Sequence, residues 1–311
     1  MSTSNPEEQP VINYKLGIFG HPLSHTLSPV LHQTLLAKAK LKGEYLPYDI
    51  PAEQLRSHLH QFIAEDGHGL NVTIPHKVAV MPLLDSVSQN AQLIGAVNTI
   101  IIQPDGSSHG DNTDIVGFTE SLPALLKQQL PQQHVVLLGA GGSARAVLAS
   151  LIQLETQKIT ISARQLEKAL SLKQSGLFMR EAYQSQTQLD TCLISELENL
   201  QPIQGAINTT PQGMWPHTEA SPISENTLQQ LFQTSSSESG LFVYDLIYKP
   251  QDTQLLKLAQ RLNVQTFDGL DMLILQGVAA FRLWTKAELP NSELFMETLR
   301  QVLLNKLTLS E

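Results

Sequence analysis

The sequence predicts an α/β protein of two domains, and three observations predict it. Short β-branched and leucine runs alternate with helical periods along most of the chain, the pattern of parallel strands joined by crossover helices. Val135–Glu155 (VVLLGAGGSARAVLASLIQLE) reads as strand, glycine turn and helix without interruption. At 311 residues the chain is longer than one hydrophobic core usually serves.

The elements follow in order. Lys15–Phe19 is a strand ending at Gly20-His21-Pro22. Ser28-Pro29 opens a helix, with Ser28 as its cap and Pro29 in its first turn, and Val30, Leu31, Leu35 and Leu36 form its apolar face. Gly43–Ile50 is a second strand, Ala52–Ala64 a helix, and Gly69–Ile74 a third strand halted by Pro75. Helices are expected around Lys77–Leu84 and Ser88–Ile94. Ala96–Ile102 is a strand that Pro104-Asp105-Gly106 turns toward a short partner ending at Asp111. Asp114–Leu130 is helical and leads into the glycine-turn unit, so the domain boundary falls near Asp111–Gly117. Lys158–Ser162, Gly205–Asn208, Leu241–Leu246 and Asn263–Phe267 continue as strands, with Thr234–Gly240 a flexible surface loop. Leu270–Lys286 and Ser292–Leu307 are amphipathic helices expected to cross back to the first domain.

Composition narrows the class. Apolar content of 41% and charged content of 16% fit an ordinary globular protein. With 29 acidic against 20 basic residues, a nucleic-acid surface is not expected, and an anionic ligand must be drawn by local groups. The single cysteine, Cys192, excludes an internal disulfide and fits a reducing compartment as a structural thiol. Residues 1–10 read as a loose, disordered tail and not as a signal peptide. The apolar run Leu270–Leu283 carries Asp271, Gln276 and Arg282 and is too short to span a bilayer, so a cytoplasmic protein without membrane contact is expected. The histidines show no metal-ligand spacing, and no metal is expected.

The glycine turn points to a dinucleotide. In Gly139-Ala140-Gly141-Gly142-Ser143-Ala144, Gly139 permits the tight turn, Gly141 admits a pyrophosphate to the backbone, and Ala144 lets helix and strand pack closely. The first helical amides then face the phosphates without partners of their own. The next strand ends in Ser162-Ala163-Arg164-Gln165, where an NAD site usually carries Asp or Glu. Arg164, with Lys168 four residues on and no carboxylate beside it, suits a 2′-phosphate and therefore NADP. The bland alternative is a solvated arginine at a helix start.

Outside this unit, polar residues gather at strand ends: His25–Ser28, Asn71–Lys77, Gly95–Asn98 with Gly110–Asp114, and Tyr244–Pro250. Each alone also reads blandly, as a capped helix, a punctuated strand, a turn or a half-buried aromatic. Together they are specific. GHPLSHTLSPVLH at Gly20–His32, NVTIPHK at Asn71–Lys77, GAVNT at Gly95–Thr99, GDNTD at Gly110–Asp114, GAGGSAR at Gly139–Arg145, NTTPQGM at Asn208–Met214, YDLIYKP at Tyr244–Pro250 and GLDMLILQG at Gly269–Gly277 stand in one order. From Gly17 to Trp284 the chain closely resembles the shikimate dehydrogenases.

The resemblance implies NADP-linked, reversible reduction of 3-dehydroshikimate to shikimate, on the route to chorismate and the aromatic amino acids. It implies a substrate domain over residues 11–113, completed by 272–311, with a Rossmann NADP-binding domain over 114–271 and the site in the cleft. Lys77 matches the family's catalytic lysine and Asp114 its paired aspartate. An ammonium can donate the proton in reduction, and the neutral amine can accept it in alcohol oxidation. By the same resemblance Asn98, Thr73, Gln276 and Asp114 would hold the ring hydroxyls, and Tyr248, Thr26 and Ser28 the carboxylate. Leu246 and Gly269 would border the nicotinamide. The partners would be this small molecule and a second copy of the chain in a homodimer.

Departures from the family pattern leave alternatives open. The usual H-S-x-S-P is here His25-Thr26-Leu27-Ser28-Pro29, which adds a methyl beside the carboxylate site. The usual Asn before the NADP arginine is Ala163 and the usual Thr after it is Gln165, so a weaker preference for NADP is expected. A quinate/shikimate dehydrogenase with broader substrate or NAD use is the first alternative. A catalytically silent NADP-binding regulator and a two-domain folate dehydrogenase are remoter; the former would not need both Lys77 and Asp114, nor the latter Asn98, Asp114 and Gln276.

Overall fold

The structure, a computed structural model, describes residues 12–24, 26–200, 203–233, 240–290 and 292–308. The tail at 1–10, His25 and most of the loop expected at Thr234–Gly240 lie outside the described residues. The first half of the chain runs β1 (Asn13–Gly20), α1 (Ser28–Lys38), β2 (Lys42–Asp49), α2 (Leu55–Ala64), β3 (Gly69–Val72), β4 (Ser86–Val87), α3 (Gln89–Ile94), β5 (Thr99–Ile102) and β6 (Ser108–Asp111). Helices α4 (Asp114–Ser121) and α5 (Ala124–Gln129) lead on to β7 (His134–Leu138), α6 (Gly142–Gln153), β8 (Lys158–Ala163), α7 (Leu166–Ala182), β9 (Gln188–Leu193) and β10 (Gly205–Asn208). The chain continues with α8 (Glu225–Gln233), β11 (Phe242–Asp245), α9 (Gln254–Arg261), β12 (Gln265–Phe267), α10 (Leu270–Thr285) and α11 (Glu293–Thr308).

Two sheets result. The first has the order β2-β1-β3-β5-β6-β4, with β1 parallel to β2 and β3, β4 parallel to β6, and β5 antiparallel to both neighbours. The second has the order β12-β11-β10-β7-β8-β9 and is parallel throughout. This is the Rossmann order, and its topological switch lies between β7 and β10, where the glycine turn leaves the sheet. Strands buried on both faces explain the continuous apolar run at β7, whose residues are all buried.

The last two helices return to the first sheet, as expected. Leu270, Ile274, Val278 and Phe281 of α10 and Leu299 and Leu303 of α11 share a core with Leu16 of β1 and Leu31 and Leu35 of α1. Trp284 Nε1 donates to the Ile100 carbonyl at 2.9 Å, fastening α10 to β5. Met272, on another face of α10, packs instead with Phe118 of α4 and the Rossmann core. Helix α10 therefore belongs to both halves.

Several local expectations need correction. Ser28 does not cap α1; Leu27 occupies the cap position without a side-chain hydrogen bond, and Ser28 is the first helical residue. Lys77–Leu84 is not an α-helix but a run of turns ending in a 3-10 turn at Met81–Leu83. Pro82 has no N–H to give to the Val78 carbonyl, and the Lys77 carbonyl accepts from Val97 N at 2.8 Å while Met81 N turns to Val78. The helix expected over Asp114–Leu130 breaks at Leu122-Pro123, where Leu122 turns extended. Strand β3 stops at Val72, and β5 begins only at Thr99, which leaves Thr73 and Asn98 at strand ends.

Helices α4 and α10 cross at Gly117, where a Cβ would stand 2.7 Å from Gln276 Cβ and 2.8 Å from the Met272 carbonyl oxygen. Gly117→Ala is expected to lower the unfolding free energy by about 1–3 kcal/mol through overpacking. Urea denaturation checks this, and an unchanged midpoint and slope would contradict the close crossing.

Candidate active site

The cleft is built from residues just beyond the carboxyl ends of strands in both sheets, where ligands bind in open α/β folds. After β3 the backbone turns at Thr73-Ile74-Pro75, and His76 is buried with Nε2 2.7 Å from the Ile50 carbonyl. With its own carbonyl tied to Val97, Lys77 has a fixed root and sends its side chain inward. Its ammonium donates to Asp114 Oδ2 at 2.6 Å and to Ser143 Oγ at 3.2 Å. Lys77 is 8% exposed and Asp114 4%, so water competes little for either group.

Asp114 is the first residue of α4, where the helix end favours a negative charge. Its amide donates to Asn112 Oδ1 at 3.0 Å, and its Oδ1 accepts from Asn98 Nδ2 at 2.7 Å. Asn98 is fixed in turn, with Oδ1 accepting from Thr113 N at 2.7 Å and from Thr99 Oγ1 at 2.9 Å. Gln276 of α10 is buried beside it, its Oε1 a distant 3.4 Å from Asn98 Nδ2. Thr73 stands half-buried at the end of β3, its methyl over Gly20. Lys77, Asp114, Asn98, Gln276 and Ser143 thus form one polar cluster from five separate parts of the chain.

A second group surrounds the start of α1. Ser28 N donates to Thr26 Oγ1 at 3.3 Å, and Tyr248 hydrogen-bonds Thr26. Burial pushes the Tyr248 phenol up, against the effect of the hydrogen bonds from Thr26 and the Leu27 backbone, so it remains a neutral donor. Beneath them lie three residues that the sequence did not single out. Tyr45 donates to Asn71 Oδ1 at 2.8 Å, and Asn71 Nδ2 donates to the Asn98 carbonyl at 3.3 Å. His32 stacks on Tyr45 with ring centroids 4.3 Å apart, and burial holds its pKa down at about 3, so the ring is neutral. Asn71 and His32 stand within the quoted motifs, but nothing in a motif tells which member faces inward.

The glycine turn fits a dinucleotide. Gly139 has φ +110°, and a Cβ there would lie 2.5 Å from Thr209 Oγ1, so no other residue is accommodated. Gly141 faces open space, with nothing within 4 Å of a Cβ position. It precedes α6 without a side-chain cap, which leaves the amides of Gly142, Ser143 and Ala144 as free donors for phosphate oxygens. Ala140 is half-buried and Ala144 fully buried against the sheet. Ala163 closes β8 as a buried residue, while Arg164 and Lys168 are exposed beyond it, away from the Lys77 cluster. Leu246 and Gly269 come together so closely that a Cβ on Gly269 would lie 1.9 Å from the Leu246 carbonyl oxygen.

Two domains facing across a polar cleft, one of them carrying a dinucleotide turn, place this molecule among the nicotinamide-dependent dehydrogenases. Residues 18–100 match the shikimate dehydrogenase substrate binding domain, and residues 269–300 the shikimate 5′-dehydrogenase C-terminal domain. A shikimate dehydrogenase (NADP(+)) from Nostoc sp. is 38% identical over 296 residues, covering 94% of this chain and 97% of the relative. That of Thermosynechococcus vestitus is 41% identical over 281 residues, 89% of this chain and 92% of the relative. The structure is similar to shikimate 5-dehydrogenase from Thermus thermophilus in complex with NADP(H) and shikimate (TM-score 0.75, 32% identity, 93% of this chain and 99% of that one). It is also similar to quinate dehydrogenase from Corynebacterium glutamicum in complex with NAD (TM-score 0.77, 29% identity, 94% and 99%). The chain belongs to the shikimate dehydrogenase family.

One buried acid ties the loops at the mouth of the cleft. Asp245, at the end of β11, is fully buried and accepts from Asn208 Nδ2 at 2.9 Å, Ile247 N at 3.1 Å and Thr253 Oγ1 at 2.7 Å. Burial outweighs these three donors and pushes its pKa up to about 7. Because the folded value lies above the unfolded one, the stability this group contributes is complete below the unfolded value and is lost as the pH rises through 7. Asp245→Asn removes that dependence. The wild-type advantage over the variant in urea denaturation is expected to shrink between about pH 4.5 and about pH 8, and an advantage that grows instead would contradict the raised value.

Proposed function

We propose that the chain catalyses the reversible NADPH-dependent reduction of 3-dehydroshikimate to shikimate. The observation that carries this is the buried Lys77–Asp114 pair at 2.6 Å, directly beside the nucleotide turn. When bound, NADPH supplies the hydride. Lys77 gives its proton to the developing alkoxide in reduction and takes it back in oxidation, and Asp114 holds the ammonium in place. Asn98, Gln276, Thr73 and Asp114 orient the ring through its hydroxyls. Thr26, Ser28 and Tyr248 hold the carboxylate with neutral donors, which leaves the Lys77 ammonium for proton transfer.

Residues 114–271 hold the nucleotide, with the amides of Gly142, Ser143 and Ala144 on the pyrophosphate and Arg164, aided by Lys168, on the 2′-phosphate. Leu246 and Gly269 border the nicotinamide. The first sheet, residues 11–113, and the helices over 272–311 hold the substrate. The product feeds chorismate and aromatic amino acid synthesis in the cytoplasm, and the working form is a homodimer. No helix among the described residues is long and apolar enough to cross a membrane. Use of NAD is favoured by one feature, the apolar Ala163 beside Arg164, which offers the 2′-phosphate no side-chain hydrogen bond, whereas acceptance of quinate, with its extra C1 hydroxyl, depends on the room around Thr26, Ser28 and Tyr248.

Initial rates with shikimate and quinate, each crossed against NADP and NAD, test the assignment; turnover is expected with shikimate and NADP, and none with any pair would overturn it. Lys77→Ala is expected to lower kcat by about 10²–10⁴-fold and, because it leaves the buried Asp114 carboxylate without its counter-ion, to lower the melting temperature as well. Near-normal turnover would remove Lys77 from proton transfer. Arg164→Ala is expected to raise the KM for NADP by about tenfold or more and to leave that for NAD almost unchanged. Equal effects on both cofactors would remove Arg164 from the 2′-phosphate.

A further inference from the structure

Lys77 is held from both sides of the cleft. The first turn of α6, which carries the nucleotide amides, reaches the substrate side at three points. A Cβ on Gly142 would lie 3.0 Å from Lys77 Cβ and 3.2 Å from its Cδ, so the backbone of the turn rests on the lysine stem. Ser143 Oγ accepts from the lysine ammonium at 3.2 Å. Arg145 Nη1 donates to the Ile94 carbonyl at 3.2 Å, at the end of α3, and to Ser175 Oγ of α7 at the same distance. The stretch on which Arg145 lands continues into Val97, whose amide fixes the Lys77 carbonyl. Head, stem and root of the lysine are thereby referred to a single helical turn.

We infer that Ser143 is a positioning residue for proton transfer, aligning Lys77 from the nucleotide domain. An ammonium has three N–H bonds and no acceptor. Asp114 takes one and Ser143 a second, and these two constraints direct the third toward the substrate. With Asp114 alone, the ammonium rotates about a single hydrogen bond and presents its proton in many directions. The glycine beside Ser143 is what permits this, since a side chain at 142 would displace the lysine stem. Because the same turn offers its amides to the pyrophosphate, nucleotide binding and lysine alignment are coupled.

This inference rests on the dehydrogenase activity proposed above, and the experiment separates the two. Shikimate oxidation is followed in the full-length chain and in Ser143→Ala, with NADP affinity measured independently by calorimetry. Ser143→Ala is expected to lower kcat about tenfold, the effect of one hydrogen bond to a charged group, with NADP affinity within about twofold of wild type. Ser143→Thr, which keeps the hydroxyl, restores most of the loss. In a Lys77→Ala background the serine substitution costs nothing further, since Ser143 acts only through the lysine. Wild-type kcat in Ser143→Ala overturns the inference while leaving the activity standing. So does a loss expressed wholly as weaker NADP binding, or an equal loss in the Lys77→Ala background. No turnover by the unmodified chain overturns the activity and this inference together.

Discussion

The buried ion pair between Lys77 and Asp114 is the constraint on which the site depends. Withdrawing an ammonium and a carboxylate from water is costly, and a pair of this kind persists only when further hydrogen bonds complete it. Asn98 supplies one to the carboxylate and Ser143 accepts one from the ammonium. Loss of Lys77 or of Asp114 would leave the other as an uncompensated charge, at a cost of about 3–5 kcal/mol in comparable cases. The pair therefore demands that the loop after β3, the start of α4 and the start of α6 meet at one point, and the topology of both sheets serves that meeting.

The helices between the sheets make the meeting rigid. Helix α4 begins with Asp114 and crosses α10 at Gly117, against the backbone and Cβ of Gln276. One crossing thus sets Asp114, the partner of Lys77, and the Gln276 amide relative to each other. Helix α10 divides its apolar faces between the two cores, so the substrate side cannot shift against the Rossmann side without disturbing either. Tyr45, Asn71 and Asn98 link Ser28, at the start of α1, to Asp114 through hydrogen bonds.

Much of this was legible in the sequence, for reasons that differ by residue. The glycine turn is local: its strand, its left-handed Gly139 and its helix are adjacent in the chain, and periodicity reveals them. Lys77 and Asp114 are 37 residues apart, and no spacing rule joins them; the ordered motifs of a family did. Ser28 was misread as a cap because Ser-Pro is a common helix opening, whereas here it is the first helical residue, in the group around Thr26 and Tyr248. The run after Lys77 has helical apolar spacing, but Pro82 and the bond from Val97 to the Lys77 carbonyl prevent the helix. His32, Tyr45 and Ser143 escaped notice in these roles because the contacts that define them are made by tertiary packing, which a linear pattern does not record.

Lys77, oriented by Asp114, is proposed to move the proton of a shikimate hydroxyl at the nicotinamide face. The position of shikimate in crystals of the complex with NADP tests it most directly. Lys77 Nζ is expected within about 3.2 Å of the hydroxyl nearest the nicotinamide, with the carboxylate against Thr26, Ser28 and Tyr248. A substrate bound in the opposite sense, with its carboxylate toward Lys77 and that hydroxyl out of reach, would contradict it.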